Sequence, residues 1–171
     1  TEAGIPLGVL NLITGPGEEF EDVFVSHRLV AGIAFTGSMD VGMRLYRRFT
    51  SEQPYPKPIV LEMGSKNPTI VTSKADIDKA VEGTLRAAFG YNGQKCSATS
   101  RLYIERSIKE EFLSRFIERV RKILVGDPRR RETFMGPVIN RRALESFRRY
   151  VEDAIRAGGR ILTGGRVLQD G

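Results

Sequence analysis

Short apolar runs alternate along this chain with longer stretches in which apolar residues recur every three or four positions. Val9-Leu10-Asn11-Leu12-Ile13-Thr14, closed by Gly15-Pro16-Gly17, predicts a buried strand ending in a turn. Residues 18–26 predict a helix, with acidic residues in the first turn where the helix dipole favours them and Phe20, Val23 and Phe24 on one face. Ile33-Ala34-Phe35-Thr36-Gly37-Ser38 is a second strand running into a turn, and residues 40–49 follow as a helix. Strand, helix, strand, helix in this order favours a parallel sheet with crossover helices.

Residues 51–58 hold three prolines and act as a connection. Ile59-Val60-Leu61-Glu62-Met63-Gly64 and Thr69-Ile70-Val71 are further strands, and residues 76–89 form a helix with Ile77, Ala80, Val81, Thr84, Leu85 and Ala88 on one side. Arg101-Leu102-Tyr103-Ile104-Glu105 is strand-like. Ser107-Ile108-Lys109-Glu110 has the form of a capping box, opening a helix that carries Ile108, Phe112, Phe116, Val120 and Leu124 and stops at Gly126-Asp127-Pro128. Asn140 caps the last helix, with Leu144, Phe147, Val151 and Ile155 inward and arginine pairs outward. Gly158-Gly159 ends it, and Arg160-Ile161-Leu162-Thr163 reads as a final strand.

Composition narrows this α/β reading only a little. The 171 residues are 40% hydrophobic, enough for a core, and 28% charged, with the two signs interleaved. A net charge of +6 raises the question of nucleic acid, but the arginine pairs fall on the polar faces of amphipathic helices and are read as solvated surface. No apolar run reaches the roughly 20 residues of a membrane helix, and the first residues do not form a signal peptide. A single cysteine excludes a disulfide framework and fits a reducing compartment, so a cytoplasmic protein is expected. The chain opens without Met and closes without a completed element, and both ends read as cuts in a longer protein.

That one cysteine lies in Phe89-Gly90-Tyr91-Asn92-Gly93-Gln94-Lys95-Cys96-Ser97-Ala98-Thr99-Ser100-Arg101. A thiol reacts as the thiolate, which a neighbouring cation favours, and Lys95 is adjacent. The same residue also fits a small buried hydrophobe. Glu62, near the carboxyl end of a strand, is placed where parallel sheets bind ligands and is a candidate general base. The turn from Phe35 to Gly42 joins a strand to a helix start, a place suited to a phosphate, although a plain strand–helix turn has the same form. His27, the only histidine, has nothing that brings it to Cys96, and no cluster has metal-ligand spacing.

Taken together and in order, Ile33-Ala34-Phe35-Thr36-Gly37-Ser38 with Gly42, Leu61-Glu62-Met63-Gly64-Ser65-Lys66-Asn67-Pro68 and Gly93-Gln94-Lys95-Cys96 resemble the aldehyde dehydrogenase superfamily. Gly126-Asp127-Pro128, Met135-Gly136-Pro137 and Leu162-Thr163-Gly164-Gly165 match as well. The surroundings of the cysteine are most similar to the glutamate-semialdehyde (pyrroline-5-carboxylate) dehydrogenases. The resemblance implies that Cys96 attacks the aldehyde to form a thiohemiacetal, that hydride passes to NAD, with NADP left open, and that Glu62 activates water to hydrolyse the thioester. The Cys96 amide would serve the oxyanion hole. Phe35, Thr36, Gly37, Ser38, Val41, Gly42, Met63 and Gly64 would line the cofactor, and Lys95 and Ser97 would hold the α-carboxylate of a small aldehyde substrate. It further implies a homo-oligomer with no nucleic-acid or membrane partner, residues 1–61 as part of the cofactor lobe and residues 62–171 as part of the catalytic lobe. Two departures stand out: Ser65 where the family usually has glycine, and Asn92 where the subfamily usually has glutamine. The family's upstream asparagine and lysine and its downstream glutamate fall outside these residues. A non-catalytic fragment or interaction module, or a dehydrogenase for another semialdehyde, fits the same pattern.

Overall fold

A parallel strand pair cannot be closed by a tight turn, so each pair in an alternating chain needs a crossover helix. Two such units make up this structure, a computed structural model that describes residues 3–168. The chain divides into two compact units between Gly64 and Ser65. The break anticipated after Leu61 would have cut through a strand that runs to Met63.

In the first unit, α1 (Gly17–Ser26) leads to β1 (Ile33–Gly37), α2 (Met39–Glu52) and β2 (Ile59–Met63). Strands β1 and β2 pair in parallel, with Thr36 opposite Glu62. Ser38 caps α2, its Oγ accepting from the Val41 amide at 3.4 Å. Val25, Leu45 and Phe49 form the core, and Val30, Ile33, Phe35, Val41 and Ile59 pack against it.

Helix α1 does not bury the face its apolar spacing suggests. Val23 and Phe24 are exposed, and the buried positions are Val25 and Glu21. Glu21 is only 8% exposed because its carboxylate accepts from Arg44 Nε and Nη2 at 2.9, 3.0 and 2.6 Å and from Arg48 Nη1 at 3.3 Å. A buried charge is tolerated when it is paired and hydrogen-bonded in this way. Residues 9–14 are not a strand. An extended segment becomes one only when a ladder partner takes up its backbone groups, and no described strand runs beside it; Leu12 stays 90% exposed.

In the second unit, β3 (Asn67–Val71), α3 (Ile77–Phe89) and β4 (Thr99–Ile104) form the other parallel crossover, followed by α4 (Lys109–Arg121) and α5 (Arg141–Arg156). Val71, Val81 and Phe112 are its core, joined by Ile77, Ala80, Leu102, Ile104, Ile108 and Phe116. Pro68 has no N–H to give to a ladder, and the register slips there: Asn67 faces Thr99 while Pro68 faces Arg101.

Three expectations give way in this unit. The capping box does not form, because Ser107 Oγ donates to Glu105 Oε1 at 3.2 Å and α4 begins after a tight 3-10 turn at Arg106–Ile108. Helix α4 ends at Arg121 rather than at Gly126, and the chain beyond it forms an isolated bridge between Val125 and Met135. Asn140 does cap α5, accepting from the Ala143 amide at 2.9 Å, and its arginine pairs face solvent. Yet α5 buries none of its residues: Phe147 and Ile155 remain exposed, and residues 160–163 stay irregular, without a partner strand among the described residues.

Phe112 is fully buried. Phe112→Ala should therefore destabilise the second unit by about 3–5 kcal/mol in chemical denaturation, and a loss below about 1 kcal/mol would remove it from the core. For Glu21, hydrogen bonds from Arg44 outweigh burial and, with Arg48, hold its carboxyl below the ordinary 4.5. A carboxylate lowered on folding contributes its full stability above about 4.5 and loses it as pH falls through the folded value. Both arginines are partly solvated, so Glu21→Gln should cost about 1 kcal/mol at neutral pH. The gap to wild type should close as the solution is acidified, and a gap that stays constant with pH would exclude this pairing as its source.

Candidate active site

The only cysteine sits between α3 and β4, ahead of a strand rather than after one. Helix α3 ends at Phe89, and the chain then turns through three consecutive left-handed residues: Tyr91 (φ 53°), Asn92 (φ 59°) and Gly93 (φ 69°). Such a conformation costs an ordinary L-residue roughly 1–2 kcal/mol, and least for asparagine and glycine. At Gly93 a side chain would also begin 3.0 Å from the Ala88 carbonyl oxygen. An Asn-Gly pair is a turn signal that could have located this bend in the sequence.

Side chains hold the bend in place. Asn92 Nδ2 donates to the Gly136 and Pro137 carbonyls, each at 2.8 Å. Gln94 Oε1 accepts from the Ile139 amide at 3.2 Å, and Gln94 Nε2 donates back to the Tyr91 carbonyl at 3.4 Å. On the other side of the cysteine, the Ala98 amide bonds the Lys95 carbonyl at 3.1 Å. Asn67 Nδ2 donates to the Cys96 carbonyl at 2.7 Å and to the Ala98 carbonyl at 3.2 Å. Ala98 is buried, and Thr69 and Thr99 join their hydroxyls at 2.9 Å. Cys96 therefore has a fixed backbone and an exposed thiol. Its amide makes no hydrogen bond among the described residues, which leaves it free to donate to an oxyanion. Lys95 and Ser97 flank it, both exposed; Lys95 has no acidic partner among the described residues and folds back towards Gly90. Asn67, Asn92, Gln94 and residues 136–139 had no assigned role in the sequence reading.

In the first unit, Glu62 lies one residue from the end of β2, on the exposed face of the β1–β2 pair together with Val60. The residues expected at the cofactor divide into two groups. Thr36, Gly37, Ser38 and Gly64 are exposed at the strand ends and the start of α2. Phe35, Val41, Gly42 and Met63 pack behind them: a side chain at Gly42 would begin 2.6 Å from Met63 Sδ and 3.3 Å from Phe35 Cε1. An exposed run of small residues, Thr36 to Ser38, leading into a helix start fits a phosphate-bearing cofactor, although Asp40 places one opposing charge in the first turn. His27 belongs to this unit too, its Nδ1 accepting from the Leu29 amide at 3.3 Å. Among the described residues no group of acidic, histidine and cysteine side chains could hold a metal, and no helix is long and apolar enough to cross a membrane.

The whole chain, residues 1–171, matches the aldehyde dehydrogenase family model. It is 42% identical over 167 residues to the 1-pyrroline-5-carboxylate dehydrogenase of Geobacillus thermodenitrificans (strain NG80-2), covering 96% of this chain and 32% of that protein. It is also 42% identical over 164 residues to the D-glyceraldehyde dehydrogenase (NADP(+)) of Thermoplasma acidophilum, with the same two shares. Betaine aldehyde dehydrogenase from Staphylococcus aureus, solved in complex with NAD+, superimposes with a TM-score of 0.90 at 36% identity, over 99% of this chain and 33% of that one. The chain thus spans about a third of the length of the relatives it matches. The family match over residues 1–171, together with α/β units like those of solved aldehyde dehydrogenases, shows that this chain belongs to the aldehyde dehydrogenase family.

Proposed function

We propose that the protein carrying this chain oxidises an aldehyde to the acid, with Cys96 as the nucleophile and Glu62 as the general base. The observation that carries the reading is the sole thiol, exposed on a backbone held from both sides. The Cys96 thiolate attacks the aldehyde carbon, and the carbonyl oxygen becomes an alkoxide that the free Cys96 amide can stabilise. Loss of hydride from that carbon leaves a thioester; Glu62 takes a proton from water as that water attacks it, and the acid leaves with the thiol restored. A nicotinamide cofactor, NAD or NADP, would accept the hydride; Gly37 and Ser38 at the start of α2 would hold its phosphates, with Thr36 and Gly64 beside them and Phe35, Val41, Gly42 and Met63 as support. The first unit is then the cofactor side and the second carries the nucleophile, in a cytoplasmic homo-oligomer.

For the substrate, the reading is glutamate semialdehyde, in line with the pyrroline-5-carboxylate dehydrogenase relative. Lys95 and Ser97 flank the thiol and supply a cation and a hydroxyl for an α-carboxylate. The equal identity to a glyceraldehyde dehydrogenase favours a second reading, in which the aldehyde carries hydroxyls instead.

In the full-length protein, Cys96→Ser should abolish aldehyde-dependent reduction of the cofactor, and retained turnover would remove Cys96 from the mechanism. Glu62→Gln should leave a burst of reduced cofactor equal to the enzyme present, followed by turnover slowed about a hundredfold. A loss of the burst itself would mean that Glu62 acts before hydrolysis. Lys95→Met should raise KM for glutamate semialdehyde about tenfold or more while sparing an uncharged aldehyde. Equal effects on both substrates would argue against a carboxylate site at Lys95.

A further inference from the structure

Cys96 is exposed, and the hydrogen bond that holds it is made by its backbone. That backbone has two anchors. Asn67 takes hold of the Cys96 carbonyl from β3, and the bend before the cysteine is fastened to residues 136–139 by Asn92 and Gln94. None of the chemical roles above uses the second anchor. We propose that Asn92 and Gln94 are positioning residues that set where the Cys96 thiol stands by fastening its loop to residues 136–139. The inference rests on Cys96 being the nucleophile.

The geometry favours positioning over general support. Asn92 spends both protons of one amide on two successive carbonyls, which is possible only at one spacing between the loop and the segment. Gln94 adds a bond of opposite sense, accepting from the Ile139 amide, and its own amide returns to Tyr91 inside the bend. Asn92 lies within the left-handed run and Gln94 directly follows it, and such a conformation persists only when its surroundings over-determine it. The cysteine follows two residues after Gln94. Released, the bend can relax towards ordinary dihedrals and carry the thiol with it, and a displacement of about 1 Å at a reacting atom can cost on the order of a hundredfold in rate.

The test uses the full-length protein. Asn92→Gly keeps the left-handed conformation and removes both donors. Gln94→Glu keeps the acceptor for Ile139, and Gln94→Met removes it. Asn92→Gly should lower kcat by about tenfold or more while KM for the cofactor stays within about twofold. Amide hydrogen exchange should quicken in residues 91–96 and 136–139 together. Gln94→Glu should keep most of kcat, whereas Gln94→Met should lose as much as Asn92→Gly. Unchanged exchange at 136–139 in Asn92→Gly, or quickened exchange with wild-type kcat, overturns the positioning role. If Asn92→Gly does not fold, the Gln94 pair decides, and equal kcat in its two variants overturns the proposal. An active Cys96→Ser protein overturns the nucleophile assignment and the positioning with it; an inactive one beside a wild-type Asn92→Gly overturns the positioning alone.

Discussion

Parallel register is the constraint on which the candidate site depends. When β3 and β4 run side by side in the same direction, their beginnings lie together, however many residues separate them in sequence. Asn67 starts β3 opposite Thr99, the first residue of β4, so the amide of Asn67 lies beside the turn that precedes β4 and reaches the Cys96 carbonyl. An antiparallel pair would have placed the start of one strand against the end of the other. The slip at Pro68 is confined to the same place, where a missing ladder donor lets β4 accommodate one extra residue.

Charge plays a different part in each unit. In the first, Glu21 is drawn into the interface between α1 and α2 because two arginines of α2 satisfy it. In the second, Arg115 and Arg119 of α4 reach Asp78 and Glu82 of α3 at the surface, where solvated pairs contribute little to stability. The positive excess thus sits largely on exposed helix faces, with the arginine pairs of α5 as the clearest case.

Much of the fold was legible in the sequence because apolar periodicity reports which face of an element is covered. Val81, Leu85, Phe112 and Phe116 were read correctly from spacing alone. The misreadings share a cause: periodicity reports a tendency, not a partner. Residues 9–14 and 160–163 have strand composition but no described neighbour to pair with, and α5 has an apolar stripe with little against it. Glu21 was missed for the opposite reason, since its partners lie more than twenty residues away and no local pattern announces them. At the candidate site the reacting types, a thiol and a carboxylate, were legible as chemistry. Their supports were not, because Asn67, Asn92 and Gln94 act through bonds to main-chain atoms of distant segments.

Those main-chain bonds bear on how the region can change over time. Asn92 and Gln94 recognise carbonyls and an amide that almost any residue provides, so what they require of residues 136–139 is the path of the main chain. On the loop side the demand falls on the side chain itself, two donors carried by a left-handed residue. The contact thus couples a side chain to the path of a chain rather than to another side chain. A search for pairs of positions that vary together would pass over it.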